Sequence, residues 1–131
     1  MNKLRVAVIG TGMIANSAHF PMLNILREEG EIEVVGVADI RLEAAAETAQ
    51  RHHVEKFYTD PQKMLDELKP DFVVVSTPNV YHKEWTIKAL RAGAHVACEK
   101  PLALTLADAE EMWQTAKDCG KMLFPCQCMR W

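Results

Sequence analysis

Short apolar runs alternate with amphipathic stretches along the chain, and this alternation limits the possible folds more than any other sequence feature. The runs are rich in Val and Ile or nearly continuous in apolar character, which is typical of strands that helices bury on both faces. They lie at Leu4–Ile9, Val34–Ala38, Phe72–Ser76, His95–Cys98 and Met122–Cys126, with a weaker one at Phe57–Tyr58. Such spacing predicts βαβ units with right-handed crossovers. We therefore expect an α/β protein of one domain, built on a doubly wound parallel sheet of six strands.

Residues that begin and end helices stand between the runs. Asp60, followed by proline, can cap one helix. Asn79 can cap a second helix over Val80–Ala92. Thr105 begins a capping-box pattern for a third helix, which runs to Gly120.

Pro125 lies inside the last apolar run. Because proline cannot donate to a strand ladder, we expect this strand at an edge of the sheet. A doubly wound sheet of order 3-2-1-4-5-6 places its final strand at that edge. The two arguments agree on one topology.

The charge balance excludes several classes of protein. The 131 residues include 15 Lys and Arg against 18 Asp and Glu, a net charge of −3. The sequence therefore offers neither the basic face that nucleic acids need nor a polybasic signal for a membrane surface. No uncharged apolar run approaches the roughly 18 residues that cross a bilayer, and no cleavable signal fits the N-terminus. We expect a cytoplasmic protein without nucleic-acid or membrane partners.

The four cysteines, Cys98, Cys119, Cys126 and Cys128, show no CxxC spacing. Cys126 and Cys128 would point to one face of a strand, because strand side chains alternate. We expect buried thiols in a reducing cytosol rather than disulfide or metal chemistry, and thus no metal site. The doublet at 52–53 is two histidines without a partner at ligand spacing, and we interpret it as a solvated helix end.

The segment GTGMIA, from Gly10 to Ala15, follows the first run directly and opens a helical stretch. In a dinucleotide fingerprint Gly10 permits the tight turn, Gly12 lets the backbone approach a pyrophosphate, and Ala15 keeps the helix close to the sheet. The helix N-terminus offers free N–H groups and partial positive charge to the phosphates. A glycine turn that merely closes a structural loop is the alternative. The strand before the motif and the helix after it favour dinucleotide binding.

Asp39 ends the second run, where a carboxylate can accept both ribose hydroxyls of an adenosine. It lies further from Gly12 than the roughly 20 residues usual for this fingerprint, because the first helix is long. A carboxylate here repels a 2′-phosphate, which favours NAD over NADP. Arg41 leaves NADP open, because it can reach a 2′-phosphate. It can also stack on the adenine, or simply be a surface residue of the next helical turn.

Two further segments follow the fourth and fifth runs: TPNVYH at 77–82 and EKP at 99–101. In this strand order, connections diverge beside the first strand and open a ligand crevice. Lys100 in such a crevice suits proton transfer or substrate binding. An exposed Glu–Lys pair at a strand end is the alternative.

GTGMIA, STPNVYH and AGAHVACEKPLALTLADAEEM together resemble the nucleotide-binding half of the Gfo/Idh/MocA oxidoreductases, a family that includes glucose–fructose oxidoreductase and inositol 2-dehydrogenase. The similarity covers Leu4 to Arg130, and EKP is its most specific element. It implies hydride exchange between nicotinamide C4 and a carbinol carbon of a sugar, polyol or cyclitol. It also implies that Lys100 is catalytic, contacting the substrate hydroxyl and assisting proton transfer.

The resemblance implies a set of contacts with NAD, or alternatively NADP. The glycine motif would line the pyrophosphate, Asp39 and Arg41 would flank the adenosine, the 77–82 segment would pass under the cofactor, and Glu99 would contact the nicotinamide ribose. For His82, packing at a helix end is the alternative. The implied cofactor-binding residues are Gly10, Gly12, Met13, Ile14, Asp39, Arg41, Ser76, Thr77, Pro78, Asn79, His82, Glu99 and Lys100.

In members of this family, a Rossmann half is followed by a longer α+β half that holds the substrate pocket. We therefore expect residues 1–131 to be an NAD(P)-binding Rossmann domain without the substrate domain. Such a chain would bind a nicotinamide dinucleotide, turn over sugar or polyol poorly if at all, and self-associate through its exposed sheet edge. A stand-alone NAD(H)-binding sensor or partner-binding module without catalysis is the alternative.

Overall fold

Six parallel strands form one sheet within residues 2–126, the part of the chain that the computed structural model describes. The strands are β1 (Leu4–Ile9), β2 (Ile32–Ala38), β3 (Phe57–Tyr58), β4 (Phe72–Val75), β5 (His95–Glu99) and β6 (Leu123–Cys126). Their order is β3-β2-β1-β4-β5-β6, and every neighbouring pair is parallel. The predicted doubly wound sheet is confirmed, and Pro125 lies in the edge strand β6.

Five α-helices alternate with the strands. They are α1 (Phe20–Glu28), α2 (Leu42–Arg51), α3 (Pro61–Leu68), α4 (His82–Arg91) and α5 (Leu106–Cys119). A π-helical turn over Ala15–His19 leads into α1, and a 3₁₀ turn over Asn79–Tyr81 leads into α4. Within residues 2–126, none of the helices has both the length and the apolar character needed to cross a bilayer.

The two faces of the sheet carry separate apolar cores because side chains alternate along each strand. In β1, Val6 and Val8 pack with residues of α1 and α2, whereas Ala7 and Ile9 pack with residues of α3, α4 and α5. Helices therefore cover both faces, which explains why the strands read as nearly continuous apolar runs.

Two of the three predicted helix caps are confirmed. Asp60 Oδ1 accepts a hydrogen bond from the backbone N–H of Gln62 at 2.9 Å, and Thr105 Oγ1 accepts one from Asp108 N–H at 3.1 Å. Gly120 then ends α5 in the left-handed region, with φ of 63°. Side-chain oxygens at these positions satisfy N–H groups that have no partner inside the helix.

The prediction that Asn79 caps a helix was wrong. Pro78 holds the backbone extended, with φ of −53° and ψ of 148°, and Asn79 becomes the first residue of the 3₁₀ turn. The α-helix begins three residues later at His82, and no side chain caps it there.

His52 also corrects the sequence interpretation, because it is not at a solvated helix end. Only 8% of the residue is exposed, and its ring stacks on Phe20 with 4.0 Å between centroids. Nε2 lies 2.9 Å from Asn16 Oδ1, and Nδ1 lies 3.2 Å from Asn24 Nδ2. Burial, reinforced by nearby positive charges, lowers the pKa of His52. The next residue, His53, is exposed as expected.

Candidate functional site

The carboxyl ends of the parallel strands meet at one edge of the sheet, and the site residues predicted from the sequence follow them. β1 pairs with β2 on one side and with β4 on the other, so the connections diverge there and leave a crevice. A cleft of about 420 Å³ opens at this point. Its lining includes Gly10, Asp39, Arg41, Thr77 and Pro78.

Gly10 is required where the loop after β1 crosses the end of β4. Its φ is +93°, and a Cβ atom there would lie 2.6 Å from the backbone carbonyl carbon and oxygen of Ser76. Any side chain would displace backbone as well as strain the turn. Ser76 also donates a hydrogen bond from Oγ to the Gly10 carbonyl oxygen at 2.8 Å.

Gly12 occupies open space, unlike Gly10. A Cβ atom at Gly12 would have no neighbour within 4 Å. Met13 and Ile14, which follow, are 80% and 44% exposed. The N-terminal N–H groups of this helical stretch are thus accessible to a ligand, which is the arrangement that binds phosphate.

Asn16 holds the glycine loop in shape, a role that the sequence reading missed. Its Nδ2 donates to the carbonyl oxygens of Thr11 at 3.0 Å and Gly12 at 2.9 Å. A polar side chain one turn into the helix, directly after a glycine motif, is the signal that could have indicated it.

Asp39 links the loop after β1 to the end of β2. Its Oδ2 accepts from both the N–H and the Oγ1 of Thr11, each at 3.0 Å, and its Oδ1 accepts from the backbone N–H of Arg41 at 2.9 Å. The Arg41 guanidinium adds an ion pair at 3.2 Å. Burial disfavours the charged form, but the hydrogen bonds from Arg41 and Thr11 outweigh it, so that the pKa of Asp39 is lowered.

Thr77, a residue that lines the cleft, has an unused hydroxyl. Its Oγ1 is buried and has no hydrogen-bond partner among residues 2–126. A buried polar atom without a partner is costly, and a ligand donor or acceptor would satisfy it. Pro78 and Asn79 continue the cleft-side loop, and Asn79 is exposed.

His82 packs between two loops and is not among the residues that line the 420 Å³ cleft. The residue is only 1% exposed. Its Nδ1 lies 2.8 Å from the carbonyl oxygen of Pro101, and its Nε2 lies 2.9 Å from that of Thr77. A neutral imidazole has one N–H, which donates to one of these carbonyls at a time. The ring therefore joins the loop after β4 to the loop after β5.

Glu99 and Lys100 lie along the same sheet edge, but outside the cleft. β5 is two positions from β1 in the sheet, which places its end about 10 Å away. Glu99 Oε2 accepts from the backbone N–H of Lys100 at 3.2 Å, and Lys100 is exposed. Only an extended ligand can contact both the glycine loop and this pair.

Comparison with known proteins agrees with this geometry. Residues 4–126 match the model of GFO_IDH_MocA, described as an oxidoreductase family with an NAD-binding Rossmann fold. The chain belongs to the Gfo/Idh/MocA family. The match covers every strand and helix described above, so the Rossmann fold and the nicotinamide cofactor predicted for this Gfo/Idh/MocA member are confirmed.

The Gfo/Idh/MocA domain is similar to named dehydrogenases. It is 43% identical to D-glucoside 3-dehydrogenase of Escherichia coli (strain K12) over 120 residues, covering 92% of this chain and 33% of that protein. The structure of the WlbA dehydrogenase from Chromobacterium violaceum with NADH and UDP-GlcNAcA superposes with a TM-score of 0.86 at 31% identity, covering 95% of this chain and 35% of that one.

A third Gfo/Idh/MocA relative was solved with the other nicotinamide cofactor. The Y186F mutant of KijD10, a 3-ketoreductase from Actinomadura kijaniata in complex with NADP, superposes with a TM-score of 0.85 at 35% identity, covering 95% of this chain and 37% of that one. The chain spans about a third of the length of the curated relatives it matches.

Proposed function

We propose that the chain holds NAD(H) in an extended pose along the carboxyl edge of the sheet, and that it is the cofactor half of an oxidoreductase acting on a sugar, polyol or cyclitol hydroxyl. The observation that carries the proposal is the contrast between Gly10 and Gly12. Gly10 is packed against the end of β4, whereas Gly12 leaves its backbone open beside a helix N-terminus. An accessible backbone at this point is what a pyrophosphate requires.

The adenosine half of the cofactor fits the cleft between β1, β2 and β4. Asp39 is fixed at its floor and is ionised, so that it can accept ribose hydroxyls. Thr77 Oγ1 offers a polar atom that still lacks a partner among residues 2–126. The aromatic rings of Tyr81 and Trp85 form part of the wall and suit a planar base.

The nicotinamide half extends toward the ends of β4 and β5. Bound nicotinamide supplies a carbon that accepts or donates hydride. Glu99 contacts its ribose, and the exposed ammonium group of Lys100 donates to the substrate oxygen and assists proton transfer. The hydrogen bond from Lys100 N–H to Glu99 Oε2 supports this pairing, because it holds the carboxylate of Glu99 beside the backbone of the lysine.

The substrate class is argued from relatives and from chemistry. D-glucoside 3-dehydrogenase oxidises a glycoside by its name, and a carbinol carbon matches a nicotinamide partner. We infer that a second domain supplies the substrate pocket, and that copies of the protein associate. The described cysteines form no disulfide, which suits the reducing cytoplasm that we propose as its location.

Gly12→Ala tests the proposed cofactor path by calorimetric titration with NADH. Because a Cβ atom meets nothing at this position, the free energy of unfolding should stay within about 0.5 kcal/mol of wild type. The added methyl group should keep the pyrophosphate from the backbone N–H groups and weaken NADH binding roughly 10- to 100-fold. Ser17→Ala, an exposed change on the same helical stretch, is the matched control. Unchanged NADH affinity in a folded Gly12→Ala protein would overturn the proposal.

A further inference from the structure

His19, Glu99 and Cys126 come together at the sheet edge, although they are far apart in the sequence. Nε2 of His19 lies 2.7 Å from Oε1 of Glu99. One ligand atom from each of the three residues lies within 4.8 Å of the other two. The side chains of His19 and Glu99 are only 17% and 16% exposed. An imidazole, a carboxylate and a thiol thus converge from three elements.

Regular backbone structure, rather than flexible loops, holds the three residues. Glu99 and Cys126 are direct partners in the register of the parallel pair β5 and β6. His19 is the last residue of the π-helical turn over Ala15–His19. Single π turns inside helices are rare and occur frequently at functional sites. Side chains on such elements are positioned well enough to act as a ligand set.

The chemistry of the set points to a cation of intermediate softness. Imidazole nitrogen, carboxylate oxygen and thiolate sulfur bind Zn²⁺ at roughly 2.0–2.3 Å. Around a tetrahedral ion, such ligands lie roughly 3.3–3.8 Å apart. The His19–Glu99 pair must therefore open by less than about 1 Å, which small side-chain rotations can supply. Three protein ligands leave the fourth position for water.

We propose that His19, Glu99 and Cys126 bind one divalent cation, with Zn²⁺ as the best match. Glu99 can serve because its other oxygen, Oε2, accepts from Lys100 N–H and leaves Oε1 directed at His19. Binding exchanges the thiol proton for the metal ion. The site goes beyond the proposed function, and it shares only Glu99 with the proposed cofactor contacts.

Metal titration of the chelator-treated chain in reducing buffer tests the site. Zn²⁺ should bind at one ion per chain by calorimetry. Co²⁺ should give the visible absorption of a tetrahedral ion and a thiolate charge-transfer band. Zn²⁺ affinity should fall in Cys126→Ala and also in His19→Ala. Each loss should exceed roughly 10- to 100-fold, which is what removal of an outer-shell partner of a metal site costs. Cys119→Ser and His53→Ala, a thiol and an exposed imidazole elsewhere, should leave it unchanged.

Two outcomes would overturn the site: no stoichiometric Zn²⁺ binding by the folded chain, or binding that survives Cys126→Ala, whether or not Cys128→Ser abolishes it. Circular dichroism of each variant shows whether it is folded. The Gly12→Ala variant separates the two proposals, because it should lose NADH affinity and keep Zn²⁺ affinity.

Discussion

Thr11 donates two hydrogen bonds to a single oxygen of Asp39. Its backbone N–H and its Oγ1 both lie 3.0 Å from Oδ2. The contact fixes the glycine loop to the end of the neighbouring strand, and Thr11 is itself buried. The acidic residue that is proposed to read the ribose therefore also shapes the loop proposed to hold the phosphates.

Asp39→Asn should weaken NADH binding roughly 10- to 100-fold, because an amide cannot replace the charge and all the acceptor positions of the carboxylate. Thr11→Val removes only the hydroxyl and should cost less, since the backbone N–H still donates. Calorimetric titration of both variants, with thermal unfolding as a check of folding, measures the two effects. Equal affinity of Asp39→Asn and wild type for NADH would contradict the assignment.

Arg41 is expected to govern tolerance for a 2′-phosphate. Wild type should bind NADH more tightly than NADPH, because Asp39 repels the phosphate. Arg41→Ala should widen that preference about tenfold, since the side chain of Arg41 is 62% exposed and its guanidinium lies 3.2 Å from Asp39, where it can offset repulsion of the phosphate. Titration with both cofactors tests this, with Arg51→Ala as the control. An equal change for both cofactors would show that Arg41 does not select between them.

His52 should make stability depend on pH. Its pKa is lowered in the folded protein, first by burial and then by the charges of Arg51 and Arg27. The unfolded chain then takes up a proton more readily than the folded one. The stabilisation is therefore complete above pH 6.5, the ordinary pKa of histidine, and it is lost as the pH falls below that value.

Chemical denaturation at several pH values between about 7.5 and 5 measures the effect. The unfolding free energy of His52→Gln should vary less across this range than that of wild type. His53→Gln, a change at the exposed neighbour whose charge contributes least to the lowered pKa of His52, should stay close to wild type. Parallel curves for wild type and His52→Gln would refute the prediction.

Cys98 should resist alkylation in the folded protein. Burial raises the pKa of its thiol to about 11, so that little thiolate forms near neutral pH. Cys119 is only partly buried and should react first. Mass spectrometry after timed iodoacetamide treatment distinguishes the two, with labelling in denaturant as the reference. Equal labelling rates at Cys98 and Cys119 in the native chain would count against this reading.

Lys100→Ala, made in a full-length oxidoreductase that carries this domain, should lower kcat roughly 10²- to 10⁴-fold while the Kd for NADH stays unchanged. The assay screens sugars and polyols, the proposed substrate class, and uses the compound with the highest kcat/KM. Lys88→Ala, which removes a lysine on the exposed face of α4, serves as the control. A Lys100→Ala enzyme with wild-type kcat and KM would rule out the proposed role.

The sheet was predictable because its signals are local. Each buried strand is a short apolar run, and Pro125 marks the last strand as an edge strand, in agreement with the expected strand order. The cap residues Asp60 and Thr105 also act within a few positions of themselves. The glycine motif works in the same way, since Gly10 and Gly12 lie at a strand–helix junction that the sequence reveals.

The features that escaped prediction depend on distant packing. His52 is buried because α1 lies over the end of α2, and nothing near it in sequence carries that information. The grouping of His19, Glu99 and Cys126 follows from strand register and from an unforeseen π turn. Asn79 failed as a cap because the proline before it redirected the backbone.

The ring of His82 has a mechanical consequence. It lies between the carbonyl of Thr77 and that of Pro101, so that the loop after β4, which forms part of the cleft wall, and the loop that carries Lys100 pack against the same side chain. We expect a shift on either side to be transmitted to the other. Substitutions along the cleft wall should therefore perturb the position of Lys100, even though they do not touch it.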